Sequence, residues 1–172
     1  DDFIVTDAPE GSNFGETLDI TRFSPAGERP DGLVFMLLID DSGSMYDGPD
    51  GRPSPGPAQT RAALARREAR NFIDGLGSSL DRAGLAEFGT RYRVLAGPRT
   101  DRASLIDRLG ISTPPVPEEA YTELYAAITR SAGDMASQKG RRIVILFSDG
   151  ENYPYAERKG LPHPDYGNRV FT

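Results

Sequence analysis

The sequence predicts an α/β fold, a doubly wound and mainly parallel sheet with helices on both faces, and three observations carry that expectation. Two apolar runs, Leu33 to Ile39 and Ile143 to Phe147, lack the polar alternation of a half-exposed strand. They read instead as parallel strands buried on both faces. Between them lie two stretches of helical periodicity. The order strand, helix, hairpin, helices, strand is one that layers helices on either side of a parallel sheet.

Residues 1–30 hold two short strand candidates, Phe3 to Val5 and the alternating Thr17 to Phe23. Ser24 to Pro30 then reads as a turn or linker. This segment is either the tail of a preceding β-rich domain or an added edge strand, and residues 31–172 form the principal domain. After the first apolar strand, Asp47 to Pro57 is too rich in Pro and Gly for regular structure. It reads as a surface loop, with a lid or specificity loop as the alternative, in which Asp47 would serve a second cation site.

A helix should begin near Pro57, a residue suited to a first helical turn. Ala58, Ala62, Ala65, Ala69, Phe72, Ile73 and Leu76 recur on one face, with Arg61, Arg66, Arg67 and Arg70 on the others. With Glu68 and Asp74 among them, those arginines read as a solvated face rather than a binding patch. Gly75 and Gly77 stop the helix. Ala83 to Phe88 and Tyr92 to Ala96 form a hairpin turning at Gly89-Thr90-Arg91. Asp101 to Leu109 is a short helix capped by Thr100 or Asp101. Ile111 to Pro117 is a loop. Tyr121 to Ser137 is a further helix with Leu124, Ala127, Ile128, Ser131 and Met135 facing inward.

Composition bounds the function. The 172 residues suit one principal domain, with 27% charged and 37% hydrophobic residues, in the range of soluble globular chains. A net charge of −6 argues against a nucleic-acid surface. There is no cysteine, which excludes disulfides and thiolate metal sites. No apolar stretch approaches the ~20 residues of a transmembrane helix, and no signal peptide opens the chain.

The chemistry concentrates where the first apolar run ends, in Asp40-Asp41-Ser42-Gly43-Ser44-Met45. An aspartate closing a seven-residue apolar run faces a desolvation cost unless it is paired or bound to a metal. One carboxylate and two hydroxyls at alternate positions make half a site for a small hard cation. Ser42 and Ser44 could equally cap the turn or the next helix.

The spacing Asp40, Ser42, Ser44 resembles the metal-ion-dependent adhesion site of von Willebrand factor A domains. Two more segments match that family in its order. They are Thr122-Glu123-Leu124-Tyr125-Ala126-Ala127, and Ser148-Asp149-Gly150 after the second apolar strand. The resemblance covers roughly residues 31–152. It implies metal ligands Asp40, Ser42, Ser44, Thr122 and Asp149, holding Mg²⁺ or Mn²⁺, with Ca²⁺ also possible. Each residue has a plainer reading: a helix N-cap for Thr122, an ordinary turn for Asp149-Gly150. Oxygen donors favour Mg²⁺ or Mn²⁺ over Zn²⁺. Asp41 should point away from such a metal, and His163, in a Pro-rich tail, should have no catalytic part.

What the resemblance implies about function is a non-enzymatic protein-binding module, extracellular or in the cell envelope and of bacterial character. In it the cation takes an Asp or Glu carboxylate from a protein partner. The alternatives are a Mg²⁺-dependent phosphoryl-transfer enzyme and a structural domain whose metal only holds the loops together. The first usually needs a second Asp two residues after the nucleophile, where Ser42 stands. No Gly-x-Ser-x-Gly elbow or phosphate loop is present. The family's sheet also continues past the Asp-Gly strand, whereas 151–172 holds Pro154, Pro162 and Pro164, with only Arg169 to Thr172 strand-like. The expectation is a domain truncated at the carboxyl end, with Ile143 to Phe147 left as an edge strand.

Overall fold

A four-stranded sheet is central to the described residues of the protein. The computed structural model describes residues 5–7, 16–18, 32–110, 113–169 and 171. β1 (Val5–Asp7) and β2 (Glu16–Leu18) pair antiparallel with each other in a unit spanning Asp1–Pro30. Most of the two strand candidates proposed there lies outside the described residues. Asp31–Thr172 forms the second unit, which carries the sheet.

β3 (Leu33–Asp40) is its central strand, parallel to β4 (Arg82–Phe88) on one side and β6 (Arg141–Phe147) on the other. β5 (Tyr92–Arg99) runs antiparallel to β4, completing the predicted hairpin. Among the described residues β6 pairs only with β3, so it is an edge, and Leu146 on it is 39% exposed.

β3 is apolar throughout because both of its faces are covered. Phe35, Leu37 and Ile39 pack with Ala69 and Ile73 of α1 (Arg61–Asp74) and Leu105 and Leu109 of α2 (Arg102–Leu109). Val34, Met36 and Leu38 pack with Leu124 and Ala127 of α3 (Leu124–Asp134). Side chains alternate across a strand, so Asp40 continues the series that faces α3. Gly32, with φ at +65°, opens the strand, and a Cβ there would fall 2.3 Å from the Leu80 carbonyl oxygen; no other residue fits.

Several boundaries differ from expectation for physical reasons. Pro57 begins a separate 3-10 turn (Pro57–Gln59), while α1 starts at Arg61. Its N-cap is Thr60, whose hydroxyl accepts the Ala63 N–H over 3.1 Å. Asp101 caps α2 through the Ser104 N–H. α3 begins at Leu124 rather than Tyr121 and ends at Asp134. Ala126 is buried there and Ile128 is 37% exposed, the reverse of the expected assignment. Arg66 is no solvated residue but 9% exposed. The Pro-rich tail also carries α4 (Tyr155–Lys159), closed by Gly160 in the left-handed region. Val170 and Thr172 of the strand candidate there lie outside the described residues.

Candidate functional site

Asp40 ends β3 fully buried. Its Oδ1 accepts the Ser42 N–H over 2.9 Å and its Oδ2 accepts the Ser148 hydroxyl over 2.6 Å. Burial pushes its pKa above the ordinary 3.8 by disfavouring the charged form. The hydrogen bonds from Ser148 and Ser42 pull it down, and the Asp149 carboxylate raises it again. Asp149 follows Ser148 at the same end of the sheet as Asp40, although the two aspartates sit 109 positions apart in the chain. Parallel pairing of β3 with β6 causes it: Ile39 lies opposite Phe147, so both strands end at one level.

The chain after Asp40 turns into a short 3-10 helix, Gly43–Tyr46. Ser42 stands at its N-cap position, yet no side chain caps it. The Ser42 and Ser44 hydroxyls instead lie 3.5 Å apart. Gly43 brings this turn against the segment that carries Thr122. Its N–H reaches the Ala120 carbonyl over 3.1 Å, and a Cβ at Gly43 would sit 3.1 Å from the Ala120 Cβ.

Thr122 is 4% exposed. Its backbone exchanges both hydrogen bonds with Tyr153, at 3.0 and 2.9 Å, and its side chain caps nothing. Glu123 is the N-cap of α3, and the Leu124 N–H is taken by Asn152 Oδ1 at 3.1 Å. Among the described residues the Thr122 hydroxyl has no hydrogen-bond partner, and it makes no bond to the other four proposed ligands. The hydroxyl is therefore free to accept a ligand without breaking a bond within the described residues.

Asp41 turns away from this group. Its Oδ1 accepts the Tyr46 hydroxyl over 2.6 Å and Arg66 Nη2 over 3.2 Å. Burial raises its pKa, Tyr46 and Arg66 oppose the rise, and Glu87 adds to it. The same Arg66 nitrogen pairs with the buried Glu87, which is held from its other oxygen by Arg93. Arg66 Nη1 also caps α2 through the Leu109 carbonyl at 2.6 Å.

Three participants were not foreseen. Ser148 was legible only as the residue before Asp149. Arg61 places Nη1 2.9 Å from Asp149 Oδ2 and 3.4 Å from the Ser44 carbonyl oxygen. His163, far from idle, is buried: Nε2 meets the Thr90 carbonyl at 2.7 Å, and Nδ1 accepts the Asp165 N–H at 3.0 Å. The second bond makes Nε2 the protonated nitrogen, and the ring stacks on Tyr166. It pins the tail onto the turn between β4 and β5.

Among the described residues there is no group of three or more His, Cys, Asp or Glu side chains that could hold a metal. Any cation here depends on hydroxyls as well as carboxylates. A buried aspartate, a second carboxylate beside it, two adjacent serine hydroxyls and a free threonine hydroxyl suit a hard, oxygen-seeking cation. The set does not suit a metal that wants nitrogen or sulfur.

The family model for the von Willebrand factor type A domain matches residues 35–151. The chain belongs to this family. The matched span runs from β3 through the Asp149-Gly150 turn and includes all five proposed ligand positions. Among solved structures, the chain is similar to an aerotolerance-related membrane protein from Bacteroides fragilis. It has 26% identity and a TM-score of 0.59 over 71% of this chain and 56% of that one. Conserved hypothetical protein BatB from Bacteroides thetaiotaomicron is similar at 24% identity and a TM-score of 0.56, over 71% and 56%. Three N-terminal domains of the type V pili tip protein Mfa5 from Porphyromonas gingivalis align at 21% identity and a TM-score of 0.55, over 70% and 20%. The chain thus spans between a fifth and just over half the length of these solved chains. No curated protein matches the chain. Among the described residues, no helix is long and apolar enough to cross a membrane.

Proposed function

We propose that this von Willebrand factor A domain is a cation-dependent protein-binding module and not an enzyme. Asp40, Ser42, Ser44, Thr122 and Asp149 would hold one Mg²⁺ or Mn²⁺, and a partner's Asp or Glu carboxylate would complete its coordination. The observation that carries the reading is Asp40. It is a fully buried carboxylate whose charged form burial disfavours, at the strand end where Ser148 bonds it and Asp149 follows. Two like charges so placed gain most from a divalent cation between them. Mg²⁺ keeps exchangeable waters in an octahedral shell, and an incoming carboxylate can displace one with a charge-assisted contact.

The plainer readings of the same residues find less support. Thr122 caps no helix and Ser42 makes no capping bond. An aspartate nucleophile would lack the second carboxylate two residues on, where Ser42 stands. A location outside the cell or in its envelope is supported by the pilus-tip and membrane proteins among the similar structures.

Calorimetric titration with Mn²⁺ tests the site. Binding at one site by the wild type and none by Asp40→Ala is the expected result; equal affinity in both would end the proposal. Partner capture from the native source, lost in EDTA and restored by Mg²⁺, tests the binding function.

A further inference from the structure

The first turn of α1 sends a side chain into the candidate site that neither the motif nor the family pattern includes. Arg61 Nη1 lies 2.9 Å from Asp149 Oδ2, with the two side chains only 26% and 14% exposed. Its position is built rather than incidental. The Arg61 N–H is fixed by the Asp47 carbonyl at 3.0 Å, and Nη1 also approaches the Ser44 carbonyl at 3.4 Å. Across the guanidinium lies the Pro/Gly loop, where a Cβ on Gly51 would stand 3.3 Å from Nη2. The loop after the serines therefore runs close to the Arg61 guanidinium.

We infer that Arg61 is a built-in competitor for the cation, a guanidinium that occupies Asp149 and sets how strongly, and for which valence, the site binds metal. This rests on the reading that Asp149 is a cation ligand. One carboxylate oxygen cannot give its full charge to both a guanidinium and a metal, so cation entry works against the ion pair. A singly charged ion offers Asp149 no more attraction than Arg61 already supplies, and it lacks the directed N–H bond. A divalent ion doubles the Coulomb term, so the arrangement rejects Na⁺ and K⁺ and admits Mg²⁺ or Mn²⁺. Arginine stays protonated throughout the accessible range, so the competitor keeps its charge. A displaced guanidinium has room to move: Arg61, Ser148 and Asp149 line a cavity of ≈ 430 Å³ with Met45, Leu64 and Leu146.

The test is Mn²⁺ titration and thermal melting of the wild type, Arg61→Gln, Arg61→Lys and Asp40→Ala. Arg61→Gln should bind Mn²⁺ about tenfold more tightly than the wild type. In EDTA it should melt lower, because Asp40 and Asp149 then repel without a counter-charge. Its Mn²⁺-induced rise in Tm should accordingly be the larger. Arg61→Lys, which keeps the charge but loses the planar fork, should fall between the two and provides the comparison should Arg61→Gln not fold. Unchanged or weaker Mn²⁺ binding by Arg61→Gln, with the wild type binding and Asp40→Ala not, would overturn the competitor role alone. No binding by any of the four would overturn the cation site and the competitor role together.

Discussion

Ser148 donates its hydroxyl to Asp40 Oδ2 over 2.6 Å, joining residues 108 positions apart. The bond exists because β3 and β6 run parallel and end side by side. It holds a buried carboxylate whose charge the surrounding protein disfavours, and it places the loop that carries Asp149 beside the one that carries Ser42 and Ser44.

The first prediction follows from the direction of the Asp40 shift. A carboxyl whose folded pKa lies above its unfolded value binds protons more tightly in the folded state. It therefore costs stability that grows as the pH rises from 3.8 through the raised value. Asp40→Asn removes that cost while its amide can still bond Ser42 and Ser148. In EDTA at pH 7 the variant should be more stable than the wild type by chemical denaturation, and the gap should narrow as the pH falls toward 4. A gap of constant size, or a less stable variant, would show that burial of Asp40 is fully compensated.

Thr122→Val keeps the volume of a β-branched side chain and removes a hydroxyl that bonds nothing among the described residues. Stability should change by less than about 1 kcal/mol, since no cap or hydrogen bond is lost. Mn²⁺ affinity should fall at least about tenfold if the hydroxyl is a ligand. Melting and titration on the same sample separate the two, and undiminished Mn²⁺ binding would remove Thr122 from the site.

Arg66 serves Asp41, Glu87 and the end of α2 at once. Replacing it with Met leaves Asp41 without a cation and Glu87 with only the exposed Arg93. Breaking a buried pair in this way costs about 3–5 kcal/mol, which urea denaturation with an unchanged m-value would show. Arg93→Met removes only a 68% exposed partner of Glu87 and should cost about 1 kcal/mol or less. Equal losses in the two variants would mean that Arg66 is not the centre of the network.

The sheet was legible because burial on both faces leaves a local mark: Leu33 to Ile39 has no polar residue, and only a covered parallel strand tolerates that. The hairpin, the helix periodicities and the Asp40-Ser42-Ser44 spacing were legible for the same reason, since each is written within a few consecutive residues. Local sequence could not say which arginine on α1 is buried, because all four occupy plausible outer positions. Arg66 is drawn inward by Glu87 and Asp41, and Arg61 by Asp149, and these partners lie 21, 25 and 88 residues away. Ile128 and Ala126 exchanged places for a related reason: the helix begins three residues later than its periodicity suggested, and the side that meets the sheet depends on the sheet. His163 looked idle in its Pro-rich tail until Thr90 came within reach of its ring. The sequence alone determined which residues carry oxygen donors at strand ends and which stretches must be buried. Only the tertiary structure decided which charges meet, because an ion pair or a buried hydrogen bond depends on distance in space, and parallel strand pairing sets those distances between segments far apart in the chain.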